Sequence, residues 1–424
     1  MGSTQKIKVL LRGIVGEKHI LVGDLMSSYC SDWTKKYFSN PIAVVRPAST
    51  KEVSNILSVC YKYNISMVPI SGNTGLAGGT HAEGSVMISL ERLNQIRSIK
   101  KESHIAIVEA GVILSKLHIA AGDFNLVFPL TFGAKGSAMI GGILSTNAGG
   151  SNVLRYGSTR TLCMGLEVVL PDGRILNLMS ELHKDNTGYD LKDLIIGAEG
   201  TLGIITAAVL KLSPKPVAYT TAMIATSSLD NALKVLNILQ EETGGGVEAF
   251  EYMPKNYIET YLTKVSNSRP PFDKFYDVNI MLEIGSTIIS DSISSITGES
   301  ILTKKVEEIL SQLLTSGELL DAVIAQSESQ RIEMWERREA SAEITITNEP
   351  LIITDVAVPL EKISIFIKKM DKIIQQIDPG SRELTVAHLG DGNIHYAIYP
   401  TKFDEILFDK LTNCLEEITQ ELGG

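Results

Sequence analysis

Two histidines that flank a short polar turn are the side chains of this sequence best placed to do chemistry. The segment 388–395 reads His-Leu-Gly-Asp-Gly-Asn-Ile-His. Because Gly-Asp-Gly-Asn favours a tight turn between two strands, we expect His388 and His395 to lie on one side of a hairpin. Neutral imidazoles bind zinc, manganese or iron, although two ligands alone do not complete a metal site. The alternative is a pair of half-buried structural histidines.

Three glycine-rich segments in the first half of the chain could bind an anion through the backbone. They cover residues 69–80, 133–150 and 197–203. Glycines have no Cβ, so successive N–H groups in such loops can converge on a phosphate. A plain glycine-rich turn is the alternative for any one loop. Three loops in one domain indicate a large ligand that the backbone contacts at several points, and a dinucleotide fits that description.

The glycines do not form either of the common nucleotide-binding signatures. The loose Gly-x-Gly-x-x-Ala match at 244–249 follows a helical pattern rather than a strand, which is the wrong context for a Rossmann site. The Walker pattern is absent from the sequence.

The pattern of predicted strands and helices changes near Pro214 and Pro216. Before this point short apolar strands alternate with a helical pattern at 50–63, and the predicted strands are 41–47, 65–70, 86–90, 105–108 and 203–212. After it, longer helical patterns at 229–242, 301–314, 327–342, 360–376 and 402–422 surround strands at 279–284, 351–359, 384–388 and 394–399. This order predicts an α+β protein whose second domain has an antiparallel sheet.

Composition and charge narrow the class of protein. The chain has 424 residues, of which 44% are hydrophobic and 21% charged, which at roughly 150 residues per domain suggests two or three domains. Its net charge of -10 argues against a nucleic-acid partner. Its four cysteines form no CxxC pair, so we expect reduced thiols in a cytosol-like compartment. No apolar run is long enough to predict a membrane span.

Three motifs, in order along the chain, resemble those of one flavoprotein family. They are Ser-Gly-Asn-Thr-Gly-Leu-Ala-Gly-Gly at 71–79, Gly-Gly-Ile-Leu-Ser-Thr-Asn-Ala-Gly-Gly at 141–150, and Lys-Asp-Asn-Thr-Gly-Tyr-Asp-Leu at 184–191 with the segment 197–206. The set is similar to the vanillyl-alcohol-oxidase superfamily, and within it to the D-lactate, D-2-hydroxyglutarate and glycolate dehydrogenases. The resemblance implies a two-subdomain PCMH-type FAD-binding domain over 1–215, followed by an α+β cap domain over 216–424.

The resemblance implies that FAD is bound without a covalent bond, because the position of the tethering histidine of some relatives holds Thr74 here. The first loop would hold the pyrophosphate, the second would line the flavin and ribityl chain, and the third would meet the adenine side or the ring. Where relatives usually have a second glycine this chain has Asn73, which tolerates a positive φ. The implied FAD-binding residues are Pro69, Ser71, Gly72, Asn73, Thr74, Gly75, Gly78, Thr131, Gly133, Ser137, Gly141, Gly142, Thr146, Asn147, Gly150, Glu199, Gly200 and Ile205.

The resemblance also implies catalytic roles for the two histidines and one arginine. His388 and His395 would hold a divalent metal (Zn, Mn or Fe), and Arg338 would orient the substrate carboxylate with its planar fork. A charged helix face with i,i+4 pairs is the alternative for the segment around Arg338. Relatives add a metal-binding Glu and an active-site His in a Glu-His-Gly segment just past a Gly-Gly. The chain ends at Gly424, so the C-terminal domain is expected to be truncated there.

The implied reaction is oxidation of a D-2-hydroxy acid to a 2-oxo acid, by metal-assisted hydride transfer from C2 to flavin N5. Dicarboxylate-specific relatives carry a lysine and an asparagine where this chain has Ile353 and Ala397, so a smaller or more apolar hydroxy acid is at least as compatible. A catalytically incomplete flavin-binding chain is the main alternative. A metal-dependent hydrolase would leave the glycine loops unexplained. The resemblance further implies an electron-acceptor protein or quinone, a homodimer, and a cytoplasmic site, mitochondrial in a eukaryote and peripheral to the inner membrane.

Overall fold

The computed structural model describes residues 3–294, 300–346 and 349–424. The chain divides into two compact units, and each is built around its own sheets. The first unit comprises Met1–Gly149 and Tyr156–Lys215, and the second comprises Gly150–Arg155 and Pro216–Gly424. The short segment Gly150–Arg155 therefore belongs with the C-terminal half of the chain.

The described part of the first unit forms a four-stranded, a five-stranded and a two-stranded sheet, in the orders β1-β2-β4-β3, β5-β6-β10-β8-β9 and β11-β7. The strands are β1 (Ile20–Leu21), β2 (Ala43–Val45), β3 (Met67–Ile70), β4 (Val86–Ser89), β5 (Ile96–Lys100), β6 (Ile105–Glu109), β7 (Leu126–Val127), β8 (Cys163–Val169), β9 (Ile175–Leu178), β10 (Ile204–Lys211) and β11 (Ser213–Pro214). The helices are α1 (Ser3–Val15), α2 (Thr50–Lys62), α3 (Leu114–Gly122), α4 (Ile140–Ser145), α5 (Val153–Tyr156), which spans the unit boundary, α6 (Thr159–Leu162) and α7 (Leu191–Ile195).

The helix α2 shows how sequence specifies structure in the first unit. Ser49 caps it by accepting a hydrogen bond from the Glu52 N–H at 3.2 Å. Its apolar residues recur at helical spacing and are buried against β2 and β4. The strand β3 pairs in parallel with β4, and the first glycine loop begins directly after β3 ends at Ile70.

The second unit is a seven-stranded antiparallel sheet with helices on both faces, in the order β15-β12-β14-β13-β17-β18-β16. Its strands are β12 (Ala218–Thr226), β13 (Val247–Pro254), β14 (Val278–Ser286), β15 (Asp321–Ile324), β16 (Ile352–Ala357), β17 (Arg382–His388) and β18 (Asn393–Tyr399). Its helices are α8 (Leu229–Thr243), α9 (Lys255–Lys264), α10 (Ile301–Ser316), α11 (Glu328–Glu339), α12 (Ser341–Thr345), α13 (Ile363–Ile377) and α14 (Glu405–Glu421). The predicted α+β class and the antiparallel C-terminal sheet are confirmed.

The two faces of this sheet have different partners. Alternate residues of β13 show the division, because Phe250 and Tyr252 join the core formed with α8, α10, α13 and α14, whereas Ala249 and Met253 join the core formed with α9, α11 and α12. Glu251 is on the second face, between two apolar residues of its own strand. Among the described residues, no helix combines the length and hydropathy needed to cross a membrane.

The glycine pair that follows α8 is a helix stop rather than a nucleotide-binding loop. Gly244 has φ 61°, the left-handed conformation that closes many helices. We expect Gly244→Ala to lower the unfolding free energy of the second unit by about 1 kcal/mol, because a Cβ is unfavourable at this φ. Gly244→Asn is the matched variant and should cost clearly less, since asparagine tolerates this conformation. Urea unfolding measures both, and equal losses for the two variants would contradict the assignment.

Candidate functional site

The first glycine loop presents a row of backbone N–H groups without acceptors. It follows β3 and turns at Asn73 (φ 50°) and Gly78 (φ 73°). The Asn73 side chain holds the loop in place, because its Nδ2 donates to the Ser31 carbonyl at 3.0 Å and its Oδ1 accepts from Thr80 Oγ1 at 2.8 Å. Within the described chain, the N–H groups of residues 72–75 donate to no other group. Such a row of free amides suits a pyrophosphate.

The second glycine loop packs directly on the first. A Cβ built on Gly72 would lie 2.3 Å from the Ser137 carbonyl oxygen, and one on Gly142 would lie 3.0 Å from Ser71 Cβ. Glycine is required at position 72 because the second loop occupies the space that a side chain would need. These four predicted FAD-binding residues therefore lie together.

The third glycine loop reaches the same place. Gly200 has φ 80°, and a Cβ there would approach Pro69 Cγ, at the end of β3, to 2.5 Å. The Glu199 carboxylate oxygen lies 3.6 Å from the Cβ position of Gly79 in the first loop. Glu199 is itself at φ 50°, and its N–H donates to the Ser145 carbonyl at 2.9 Å. The structure thus brings the three predicted glycine loops into one cluster within the first unit.

Other predicted FAD-binding residues form hydrogen bonds within the protein or lie away from the glycine cluster. The Asn147 side chain accepts from the Arg160 N–H at 2.9 Å, and Thr146 Oγ1 donates to the Gly142 carbonyl at 3.0 Å. Ile205 is buried in the hydrophobic core, and Gly150 falls in the second unit. Of the remaining predicted residues, the structure places Thr74, Gly75 and Gly78 in the first loop, Gly141 against Ala110, and Thr131 and Gly133 after β7.

In the second unit, α11 directs three long polar side chains at the sheet. Arg331 and Trp335 are one turn apart and both reach Glu283, which is buried. Arg331 contacts it with two nitrogens, at 2.7 and 2.8 Å, and Trp335 Nε1 donates at 2.8 Å. Thr221 Oγ1 adds a fourth hydrogen bond at 2.6 Å. Both oxygens of this carboxylate therefore accept hydrogen bonds, three at Oε2 and one at Oε1, and the contact fixes α11 against β14.

Arg338, two turns from Arg331 along α11, reaches a second buried carboxylate. Its Nε donates to Glu251 Oε2 at 2.7 Å, and His388 Nδ1 lies 2.8 Å from Oε2 and 2.9 Å from Oε1 of the same carboxylate. Burial by itself would raise the pKa of Glu251, but the charges of His388 and Arg338, with hydrogen bonds from His388 and Ser151, lower it to about 2. The carboxylate thus stays ionised between Arg338 and His388.

The Arg338 side chain is buried, with only 7% of its surface exposed, yet one of its nitrogens has no partner in the described part of the chain. Its Nη1 donates to Ser341 Oγ at 3.3 Å, whereas Nη2 is buried and has no hydrogen-bond partner in the described part of the chain. Such an unpaired buried donor is uncommon, because it forgoes about 1–3 kcal/mol of hydrogen-bond energy. An anionic ligand would supply the missing acceptor.

The two predicted histidines do meet at the hairpin of β17 and β18. Their ring centroids are 5.2 Å apart and the rings are nearly perpendicular, at 79°. His395 Nδ1 lies 3.4 Å from Asp355 Oδ1, its register partner on β16. Asn393 also donates to Asp355, at 2.6 Å. Each ring thus has its Nδ1 beside a carboxylate.

The metal expected at His388 and His395 finds no support. Across residues 3–294, 300–346 and 349–424, no three or more His, Cys, Asp or Glu side chains are grouped so that they could hold an ion. The carboxylates nearest the rings, Glu251 and Asp355, bind the Nδ1 atoms rather than completing a ligand set. These residues therefore support no metal-dependent step.

Sequence reasoning missed Glu251, Glu283 and Ser151. A faint signal existed for the first, because two glutamates interrupt the otherwise apolar stretch Val247–Pro254. An acid in a buried strand requires a partner, and that partner could not be identified without the strand pairing.

The chain matches two families of domains. Residues 41–179 match the FAD binding domain, and residues 215–424 match the C-terminal domain of FAD linked oxidases. It is 33% identical to the mitochondrial D-2-hydroxyglutarate dehydrogenase of Danio rerio, over 99% of this chain and 76% of that protein. It is 32% identical to the D-2-hydroxyglutarate dehydrogenase of Stutzerimonas stutzeri, over 88% of this chain and 78% of that protein. A putative mitochondrial D-lactate dehydrogenase of Schizosaccharomyces pombe is also 32% identical, over 98% of this chain and 79% of that protein.

Solved structures share the fold across nearly the whole chain. Alkyldihydroxyacetonephosphate synthase superposes with a TM-score of 0.73 at 16% identity, over 99% of this chain and 80% of that one. p-Cresol methylhydroxylase with bound substrate superposes with a TM-score of 0.72 at 15% identity, over 99% of this chain and 87% of that one. Identities this low show a common fold and nothing about the substrate.

Proposed function

The chain belongs to the FAD-linked oxidases, and on that premise we propose that it oxidises a D-2-hydroxy acid to the corresponding 2-oxo acid. One observation carries the proposal. The buried guanidinium of Arg338 has a free Nη2, and Glu251 joins it to His388 of the histidine pair. A substrate carboxylate is the acceptor that this nitrogen lacks, and the planar fork would fix its orientation.

The first unit suits FAD because its glycine cluster offers unpaired backbone N–H groups at residues 72–75 and leaves space beside them that side chains would otherwise fill. The first loop would hold the pyrophosphate, and the second and third would contact the flavin, ribityl and adenine parts. Thr74 at the tethering position supports non-covalent binding. When bound, FAD supplies the hydride acceptor, while the protein contributes binding and orientation.

The substrate range follows from the face of the sheet beside the histidines. Ile353 and Ala397 are register partners on β16 and β18, and the next pair on this face is Asp355 with His395. Two apolar side chains there support a hydroxy acid whose remaining part is small or apolar, such as D-lactate. D-2-hydroxyglutarate is the substrate for which the Danio rerio and Stutzerimonas stutzeri relatives are named, and it is retained as the second candidate.

We further propose that a protein or a quinone accepts the electrons from the reduced flavin, and we propose a cellular compartment for the reaction. The eukaryotic relatives are named as mitochondrial, so the reaction would occur in mitochondria in a eukaryote and in the cytoplasm otherwise.

Anaerobic titration of the FAD-loaded protein tests the function. D-Lactate or D-2-hydroxyglutarate should bleach the flavin absorbance at about 450 nm, and the L enantiomers are the matched controls. The more effective acid identifies the substrate class. A yellow protein that neither acid bleaches, with or without added zinc or manganese, would contradict the proposal.

A further inference from the structure

A short segment before the FAD-binding region contacts the first glycine loop at two points. It comprises residues 31–38, which precede the range 41–179 matched to the FAD binding domain, and it contains none of the residues predicted to bind FAD. Its first contact is the Ser31 carbonyl, which accepts a hydrogen bond from Asn73 Nδ2 at 3.0 Å. Its second contact is the ring of Tyr37, which lies against Gly78. The segment thus holds the loop both within and beyond the row of free amides.

The contact with Gly78 is made by the face of the Tyr37 ring. A Cβ built on Gly78 would lie 2.9 Å from Cγ and 3.0 Å from both Cδ1 and Cδ2, which places it directly over the ring. Gly78 also has φ 73°, a conformation that favours glycine. The Tyr37 hydroxyl has no hydrogen-bond partner among the described residues. The ring and not the hydroxyl therefore makes the contact, and only glycine at position 78 leaves room for it.

A buried carboxylate folds the turn that carries Tyr37. Asp32 is 6% exposed, and its Oδ1 accepts from the backbone N–H groups of Lys36 and Tyr37 at 3.2 and 3.3 Å. Its Oδ2 accepts from Thr34 Oγ1, and its own N–H donates to the Tyr37 carbonyl at 3.2 Å. The backbone of Tyr37 is therefore fixed by hydrogen bonds within the turn, so the ring reaches the loop from a support that does not depend on the cofactor.

We propose that Tyr37 is a positioning residue for FAD, which holds the first glycine loop in its binding conformation before the cofactor arrives. The inference rests on the assignment of FAD to this loop and extends it to a residue that acts through Gly78. A preorganised loop binds more tightly because less conformational freedom is lost on binding. Without the ring, the loop would also populate conformations in which the free amides at 72–75 no longer face the pyrophosphate together, and only the remaining fraction of molecules would bind FAD.

The rates of FAD association and dissociation distinguish positioning from direct contact. In Tyr37→Ala we expect association with the apoprotein to slow by about 10-fold while dissociation stays unchanged, because fewer molecules have the competent loop. Loss of a direct contact would instead speed dissociation, as most mutations at a binding surface do. Stopped-flow quenching of flavin fluorescence measures both rates on the full chain.

Two variants of the same segment are the matched controls. Tyr37→Phe keeps the ring and should bind FAD at the wild-type rates. Phe38→Ala removes the neighbouring ring, which is 66% exposed, and should leave both rates unchanged. Slow association in Tyr37→Phe, an equal loss in Phe38→Ala, or unchanged association or faster dissociation in Tyr37→Ala would each overturn the proposal.

Gly78→Ala breaks the same contact from the side of the loop and decides the matter even if Tyr37→Ala fails to fold. It should also slow association, and because both changes remove one contact, the double variant should lose less than the product of the two single losses. Unchanged association in Gly78→Ala, or fully multiplicative losses, would contradict the proposal. A wild-type protein that binds no FAD would refute the cofactor assignment itself, whereas a wild-type protein that binds FAD beside an unaffected Tyr37→Ala variant would refute this inference alone.

Discussion

Replacing Arg338 with lysine should lower kcat/KM for the D-2-hydroxy acid by about 100-fold. A lysine ammonium cannot hold Glu251 and a substrate carboxylate in the fixed geometry of a guanidinium. The lost charged hydrogen bond corresponds to about 2–3 kcal/mol, and each 1.4 kcal/mol is roughly a factor of ten. Most of the loss should appear in KM, because the carboxylate is bound in the ground state as well. Steady-state kinetics with an artificial electron acceptor measures both parameters.

Arg331→Lys is the control for this experiment. Arg331 lies on the same helix and binds the buried Glu283, so its replacement should reduce stability to a similar extent. Its kcat/KM should stay close to that of the wild type. If Arg331→Lys and Arg338→Lys lose the same activity, or if Arg338→Lys loses none, Arg338 does not bind the substrate.

Gly72→Ala should weaken FAD binding by about 10- to 100-fold. The added Cβ would lie 2.3 Å from the Ser137 carbonyl oxygen, so the first and second glycine loops must move apart. Overpacking of this kind costs about 1–3 kcal/mol, and the displaced loops carry the free amides that we assign to the pyrophosphate. Quenching of flavin fluorescence on titration with FAD measures the dissociation constant.

Gly165→Ala provides a similarly crowded site outside the glycine loops. Its Cβ would lie 2.6 Å from the Ser180 backbone nitrogen, beside the β8–β9 pair. We expect it to lower the unfolding free energy while the folded protein keeps its affinity for FAD. Equal FAD affinities for the two alanine variants would show that the loop contact at Gly72 does not shape the cofactor site.

The parts of the site that local sequence encodes were predictable. The three loops could be found because glycine density is a local property, and the hairpin at His388 and His395 because Gly-Asp-Gly-Asn specifies a turn over a few residues. The helix α2 likewise carries its own cap and apolar spacing. What the sequence does not contain locally is which loop contacts which, and the contact of Gly72 with Ser137 appears only in the fold.

Glu251 shows the opposite case. It lies 137 positions from His388 and becomes its partner only through the pairing of β13 with β17. The strands β12 and β13 were missed because polar and apolar residues do not alternate along them. Both strands are buried on both faces, so residues such as Thr221, Ala222 and Glu251 give no alternating pattern. The helix α1 was missed as well, although its buried Ile7, Leu11 and Val15 recur at helical spacing. Long-range register, rather than propensity, builds the second half of the site.

The most direct test of the account is the flavin content of the purified, FAD-reconstituted protein. We predict a yellow protein with an absorbance maximum at about 450 nm that releases one FAD per chain when denatured, because backbone amides of the first unit bind the cofactor without a covalent bond. A colourless protein that takes up no FAD would contradict the central claim, and flavin that stays attached after denaturation would contradict its non-covalent form.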